Sequence, residues 1–237
     1  MLKKIPFCLI LAVILPVYLV GQNNSIYETF DEIIGLENTV LYNGLESLDL
    51  QKTINEKNKF LFTSPNYNSG NIVYNRQFFP DILLKFNVVD DRVLVQIPIN
   101  DQYSVFELIT EKIETFSLNG HYFQKLNDSQ EGLVLYGFYE QIFESSELSL
   151  FKKYRKKYKK RLDRSYVYYE YTPDDPEYYL KLNGKYHSVN SKMDVIDIFP
   201  EIKKEIRQTY RAEKDLRKND LDSFMKLLFN KIVNLQI

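Results

Sequence analysis

Residues 82–99, ILLKFNVVDDRVLVQIPI, decide the fold class. Two runs rich in β-branched and apolar residues flank Asp90-Asp91, and aspartates suit a tight reversal because their side chains bond to the local backbone. The stretch therefore predicts an antiparallel β-hairpin. Pro98 has no N–H to give to a ladder, which places the end of its strand at an edge. The next hairpin is predicted over 112–126, KIETFSLNGHYFQKL, where Asn119-Gly120 is the pair best able to take the positive φ angles of a type I′ turn. In 133–144, LVLYGFYEQIFE, apolar residues crowd too closely for one face, which predicts a strand covered on both sides, followed by a turn at Ser145-Ser146-Glu147.

The same reading extends toward the C-terminus. YVYYEY at 166–171 is a strand, TPDDP breaks it, and 177–190 form a hairpin closed on Asn183-Gly184. NYNSGN at 66–71 and NDSQEG at 127–132 read as loops within the run of strands. The period then changes. Ile196, Phe199, Ile202, Ile206 and Tyr210 recur at helical spacing, with Pro200 and Glu201 suited to a helix start. Asn219 or Asp220 caps a last helix whose stripe is Leu221, Phe224, Leu227, Leu228 and Ile232. The expected fold is α+β, an antiparallel β-meander of hairpins followed by two C-terminal helices, in a single domain over 22–237 that is β-rich to about 190.

Composition is consistent with this. The 237 residues are 44% hydrophobic and 27% charged, enough to bury a sizeable core. Eight Gly, eight Pro and one Cys exclude a collagen-like chain, a linker protein, a disulfide scaffold, a zinc finger and a CxxC redox site. A formal charge of -1 gives no overall attraction to nucleic acid or membrane.

The N-terminus, MLKKIPFCLILAVILPVYLVGQ, has Lys3 and Lys4 before an apolar run from Ile5 to Val20 and a small residue at Gly21. This is a secretory signal layout, and the expectation is a signal peptide over 1–21, cleaved after Gly21. Bulky Leu19, three residues before the cut, leaves an uncleaved anchor as the alternative. Cys8 lies within the signal, and Gln22 stands where a lipoprotein would carry its cysteine. The expected location is exported, periplasmic or secreted, with no transmembrane span in the mature chain and no disulfide.

Charge is divided along the chain. Residues 22–149 hold 8 basic and 19 acidic side chains, whereas 150–237 hold 21 and 13. Either the halves neutralise one another within the fold, or the basic half is offered to an anionic partner.

The basic half contains the one conspicuous stretch, FKKYRKKYKKRLDR at 151–164, with nine Lys or Arg and one acid. Alternating positions fit a strand, but Leu150, Tyr154, Tyr158 and Leu162 fit a helix equally well. The residues that would meet a ligand or partner are Lys152, Lys153, Tyr154, Arg155, Lys156, Lys157, Tyr158, Tyr169 and Tyr171. Three readings apply: a solvated face with lysine stems snorkelling outward, a contact for an anionic lipid, glycan or envelope protein, or a nucleic-acid surface. Export argues against nucleic acid. The chain has 19 Tyr and no Trp; tyrosines serve sheet cores and edges, which is the favoured reading, or line a ligand surface, for which Tyr166, Tyr168, Tyr169, Tyr171, Tyr178 and Tyr179 are the place to look for an exposed groove.

Signals for catalysis are missing. His121 and His187 each follow an Asn-Gly turn and read as structural, Asp90-Asp91 and Asp174-Asp175 read as turn residues, and no GxSxG, Walker or GxGxxG sequence occurs. No cofactor or metal is expected. The leading expectation is a non-enzymatic exported module of the cell envelope; the alternatives are a binder of an anionic or glycan ligand through the basic Tyr-rich region, and a hydrolase whose carboxylates come from distant strands.

From about Asn38 onward the sequence also resembles uncharacterised exported proteins of Bacteroidetes-type bacteria. The resemblance lies in TVLYNG at 39–44, the hairpin around Asp90, VFELITEKIETFSLNGHYF at 105–123, GFYEQIFESSELSLFKKYRKKYKK at 137–160, YYLKLNGKYHSV at 178–189 and IFPEIKKEIRQ at 198–208. It implies export and no assigned activity, so no site residue comes with it.

Overall fold

The computed structural model describes residues 35–46, 57–62, 64, 66–99, 102–130, 132–163 and 166–236. The expected signal peptide lies outside the described residues. Among the described residues the strands are β1 (Leu45–Glu46), β2 (Asn68–Tyr74), β3 (Gln77–Asn87), β4 (Arg92–Ile99), β5 (Gln102–Glu107), β6 (Ile113–Leu118), β7 (His121–Gln130), β8 (Leu133–Glu144), β9 (Leu148–Lys153), β10 (Lys156–Asp163), β11 (Tyr166–Pro173), β12 (Glu177–Leu182) and β13 (Lys185–Ser188). Four helices follow, α1 (Lys192–Ile198), α2 (Lys203–Ala212), α3 (Lys214–Asn219) and α4 (Leu221–Gln236). The fold is α+β. Eleven strands form one antiparallel sheet in the order β1-β5-β4-β3-β2-β6-β7-β8-β9-β12-β13, while β10 and β11 leave it as a separate two-stranded ribbon.

The predicted hairpins form where local chemistry favours reversal. Asp91, Asn119 and Asn183 have φ of 57°, 48° and 50°, the left-handed region that Asn and Asp tolerate best. Pro98 lies beyond Gln96, the last residue of β4 that β3 pairs. Two expected loops are corrected to strand, since Asn68 to Gly70 open β2 and Asn127 to Gln130 extend β7. Their polar residues lie on strands whose inward positions are still apolar. At Gly70 a Cβ would come 2.0 Å from the Ser117 carbonyl oxygen, so only glycine permits the approach of β6.

The helical period is also cut more finely than expected. Phe199 leaves helical geometry and Pro200 opens a 3-10 turn, which separates α1 from α2. Ser191 caps α1 with Asp194 in a reciprocal capping box, and Asp220 accepts the Ser223 N–H at the start of α4. On α4 the buried stripe is Phe224, Met225, Leu228, Phe229 and Ile232; Leu221 is exposed and Leu227 half-buried.

The sheet is strongly curled. Four strand intervals separate β3 from β8, about 19 Å in a flat sheet at ~4.8 Å each. Yet Phe86 of β3 and Phe138 of β8 have ring centroids 5.9 Å apart, with Phe116 and Phe123 packed between them. This aromatic cluster fills the curl, joined by Ile72, Leu84, Val95 and Ile97. Farther along, Ile142, Leu150, Tyr178 and Leu180 pack against Val195, Ile206, Phe224 and Leu228 of the helices. Phe123, Glu140 and Lys152 stand opposite one another, and Lys152 shares a side of β9 with Leu150, so one face carries both clusters. Glu140 lies between them.

Candidate functional site

The basic stretch does not form a single surface. Its first residues complete β9, Tyr154 and Arg155 make a break, and β10 begins at Lys156. Lys152 and Lys153, 8% and 5% exposed, point to opposite sides of a strand flanked by β8 and β12. Their assignment as ligand contacts is corrected: a lysine in a central strand has its ammonium inside the molecule and must be paired there.

Lys152 belongs to a row that crosses the sheet. Phe123, Glu140, Lys152 and Tyr178 are directly opposite one another on β7, β8, β9 and β12. Lys152 Nζ donates to Asp222 Oδ2 at 2.5 Å, and Tyr178 OH donates to Asp222 Oδ1 at 2.6 Å, which ties the first turn of α4 to the sheet. Tyr154 OH donates to Glu140 Oε2 at 2.6 Å, and His121 Nδ1 lies 2.7 Å from Glu140 Oε1. The Lys152 ammonium also sits 4.3 Å from the Tyr154 ring centre. Burial and the neighbouring Glu140 charge push the Tyr154 phenol far above its usual range, and burial with the Asp222 hydrogen bond does the same to Tyr178. Both stay protonated as donors.

Lys153 faces a different partner. Its ammonium is 2.9 Å from Asp91 Oδ2 and donates to the Phe138 carbonyl at 3.1 Å, with the Tyr139 ring centre 4.7 Å away. Asp91 Oδ2 in turn accepts the Phe138 N–H at 3.1 Å. The β3–β4 turn is thereby fastened to β8 and β9. Gly137 makes room: its φ is 93°, and a Cβ there would stand 1.5 Å from Asp91 Oδ2. Burial leaves the Lys153 pKa below its usual value although Asp91 beside it acts to raise it.

The other candidates divide between the base and the outer part of the ribbon. Arg155 makes a two-pronged contact with Glu177, at 3.1 and 2.8 Å, which raises its own pKa and lowers that of Glu177. Lys156 turns inward to the Asn58 and Phe60 carbonyls, and Tyr171 is buried beside Lys59. Each of the three thus makes a contact at the base of the ribbon. Lys157 pairs with Asp174 at 3.0 Å. Tyr158 stays outside, 62% exposed, next to half-buried Tyr169. The six tyrosines do not share one face. Tyr166 and Tyr168 point to one side of β11 and Tyr169 and Tyr171 to the other, while Tyr178 faces the helices and Tyr179 the opposite side of the sheet.

What remains outside is the outer ribbon. Residues directly opposite each other share a face, so Tyr158, Lys160 and Leu162 of β10 lie with Tyr171, Tyr169 and Val167 of β11. Leu162 is 74% exposed, and none of these six residues is a carboxylate; the outermost described pair, Asp163 and Tyr166, belongs to the reverse face. The reverse face carries Lys157, Lys159 and Arg161 with Glu170, which holds Arg161 at 3.2 Å and Lys57 at 3.4 Å. Among the described residues, Lys159 and Lys160 have no carboxylate partner. Leu162, Val167, Lys159 and Lys160 were not among the expected contacts, although strand alternation puts Leu162 beside Tyr158 and Lys160.

All four oxygens of Glu140 and Asp222 are engaged within the fold, and their donors are side chains that hold sheet and helix together. Among the described residues, no group of three His, Cys, Asp or Glu side chains is arranged to hold a metal ion. His121 stands against Glu140 and the Phe62 ring, and His187 is on β13. No family model, curated protein or solved structure matches the chain.

Proposed function

We propose that this protein is a non-enzymatic, exported binding module of the cell envelope, which presents the β10–β11 ribbon to an anionic partner. The observation that carries the reading is the outer ribbon itself, where exposed Lys160 lies on one face with Tyr158 and Leu162 and exposed Lys159 on the other, while the remaining described basic residues of the stretch are held by carboxylates or backbone carbonyls. Over 156–173 the chain has six basic and two acidic residues. Among the ion pairs of the described residues, Asp91–Lys153 alone joins an acid of the first half to a base of the second, which supports an outward role for the basic half. The engagement of Glu140 and Asp222 supports a structural rather than a hydrolytic role for those carboxylates. Export rests on the signal layout of residues 1–21, tested by N-terminal sequencing of protein recovered outside the cytoplasm.

The test of binding is retention on isolated envelope fractions, followed as salt is raised. Lys159→Glu with Lys160→Glu reverses two exposed charges without touching a buried pair. Retention of the unsubstituted protein is expected to fall with salt, and the double variant to be released at lower salt. Equal retention of both proteins at every salt concentration overturns the reading.

A further inference from the structure

We infer that helix α2 carries a second anion-binding surface, built from other residues than the ribbon, and that its ligand is an acidic polysaccharide. At ~3.6 residues per turn Lys203, Arg207 and Arg211 follow one another along one side of α2, with Lys204 beside them. Lys203 and Arg211 are about 12 Å apart along the axis at ~1.5 Å per residue. All four are exposed, and no ion pair of the described residues includes them; Glu213, two residues on, holds Lys231 at 3.7 Å instead. With Glu201 and Gln208 they surround an open hollow of about 600 Å³. Four cations face one acid there. Lys214 and Lys218, exposed on α3, continue the charge along the chain.

Contact with water alone does not account for this pattern. A solvated helix face interleaves both signs, because like charges three or four residues apart repel one another. Lys203 with Arg207, Lys204 with Arg207, and Arg207 with Arg211 are all such pairs. Lys203 and Lys204 also lie in the first turn of α2, where the helix dipole disfavours cations. An anion laid along the stripe relieves each of these costs, and local rules broken without return inside the fold are expected at a functional surface.

The chemistry of the stripe selects the kind of anion. Helix α2 spends its apolar residues on the body, since Ile206 is buried and the Tyr210 ring centre lies 4.9 Å from that of Phe224 on α4. Among the described residues of α2, no aromatic or large aliphatic side chain is exposed. Nothing there can enter an acyl layer or stack on unpaired bases. A linear, hydrated polymer of acidic sugars is read by charge alone: the Arg207 and Arg211 forks take carboxylates in two-pronged hydrogen bonds, and the lysines meet the neighbouring repeats. Duplex nucleic acid shares the charge but not the exported location proposed above.

The experiment is retention of the purified protein on immobilised polygalacturonate, with immobilised dextran as the neutral control, as salt is raised. Retention is expected on polygalacturonate alone and is expected to fall with salt. Arg207→Gln with Arg211→Gln removes two charges and keeps good helix formers, and is expected to weaken binding by about tenfold. Unchanged circular dichroism and an unchanged urea midpoint show that the variant is folded. Equal retention on dextran, or full binding by the Arg207→Gln and Arg211→Gln protein, overturns the inference. Duplex DNA or phosphatidylglycerol vesicles that bind through Arg207 and Arg211 while polygalacturonate does not bind overturn the polysaccharide assignment. The Lys159→Glu and Lys160→Glu protein separates the two surfaces. Polygalacturonate retention lost in that variant alone removes the helix site and leaves the ribbon reading standing; retention lost in the glutamine variant supports the helix site whatever the ribbon does.

Discussion

Asp91 and Lys153, one in the turn between β3 and β4 and the other at the end of β9, meet at 2.9 Å and hold the curled sheet together across its opening. Strand pairing alone would leave those elements apart, since β2, β6, β7 and β8 intervene. Asp91→Ala strands a buried ammonium and the Phe138 N–H, and is expected to cost about 3 kcal/mol. Urea unfolding checks this. A Lys153→Met change is expected to cost less when added to Asp91→Ala than when made alone, because the uncompensated charge is then gone.

Gly137 and Asp91 should couple for a steric reason. Gly137→Ala puts a methyl into the space that the Asp91 carboxylate occupies and also strains a positive φ. In the unsubstituted chain the loss is expected to exceed about 2 kcal/mol. In an Asp91→Ala background the conformational part, about 1 kcal/mol, persists with only the flexible end of Lys153 still close. Equal losses in both backgrounds, read from a double-mutant cycle, would contradict this geometry.

Asp222 fastens α4 to the sheet through Lys152 and Tyr178. Asp222→Ala leaves the buried Lys152 ammonium without its carboxylate and is expected to cost about 3 kcal/mol. Amide exchange should rise first in α4 and β12, whereas the Phe86, Phe116 and Phe123 cluster, on the other side of Glu140, should keep its protection.

Alkaline pH should loosen the same seam. Tyr154 and Tyr178 have pKa values raised in the folded protein, so the native state holds their protons where the unfolded chain releases them. Their contribution to stability is complete below the unfolded value near 10 and is lost as pH rises beyond it. The urea midpoint should fall more steeply above pH ~10 in the unsubstituted protein than in Tyr154→Phe. At neutral pH Tyr154→Phe should itself cost about 1–2 kcal/mol, because Glu140 loses a donor.

Reversals closed by neighbouring residues were legible without coordinates. Asp90-Asp91, Asn119-Gly120 and Asn183-Gly184 each carry the backbone preference that turns the chain, so the hairpins they close, and the α+β class built on them, follow from local chemistry. The helices were legible as a period, but Phe199 and Pro200 divided it. Glu140 and Lys152 left a weaker trace: each stands where alternation demands an apolar residue, Glu140 between Phe138 and Ile142, and Lys152 two after Leu150. Such a charge announces a buried partner without naming it.

Partners were decided by the tertiary fold. Lys152 and Asp222 are 70 residues apart in the chain, and no spacing rule joins them. Nor does composition show which lysines of the basic stretch face water, since β9 enters the sheet between β8 and β12 while β10 leaves it as a ribbon with β11. Sequence by itself determined turns, periods and the charge of the second half, because those depend on adjacent residues or on sums. Curl, ion pairing and exposure depend on which distant strands share a row, and only the assembled sheet decides that.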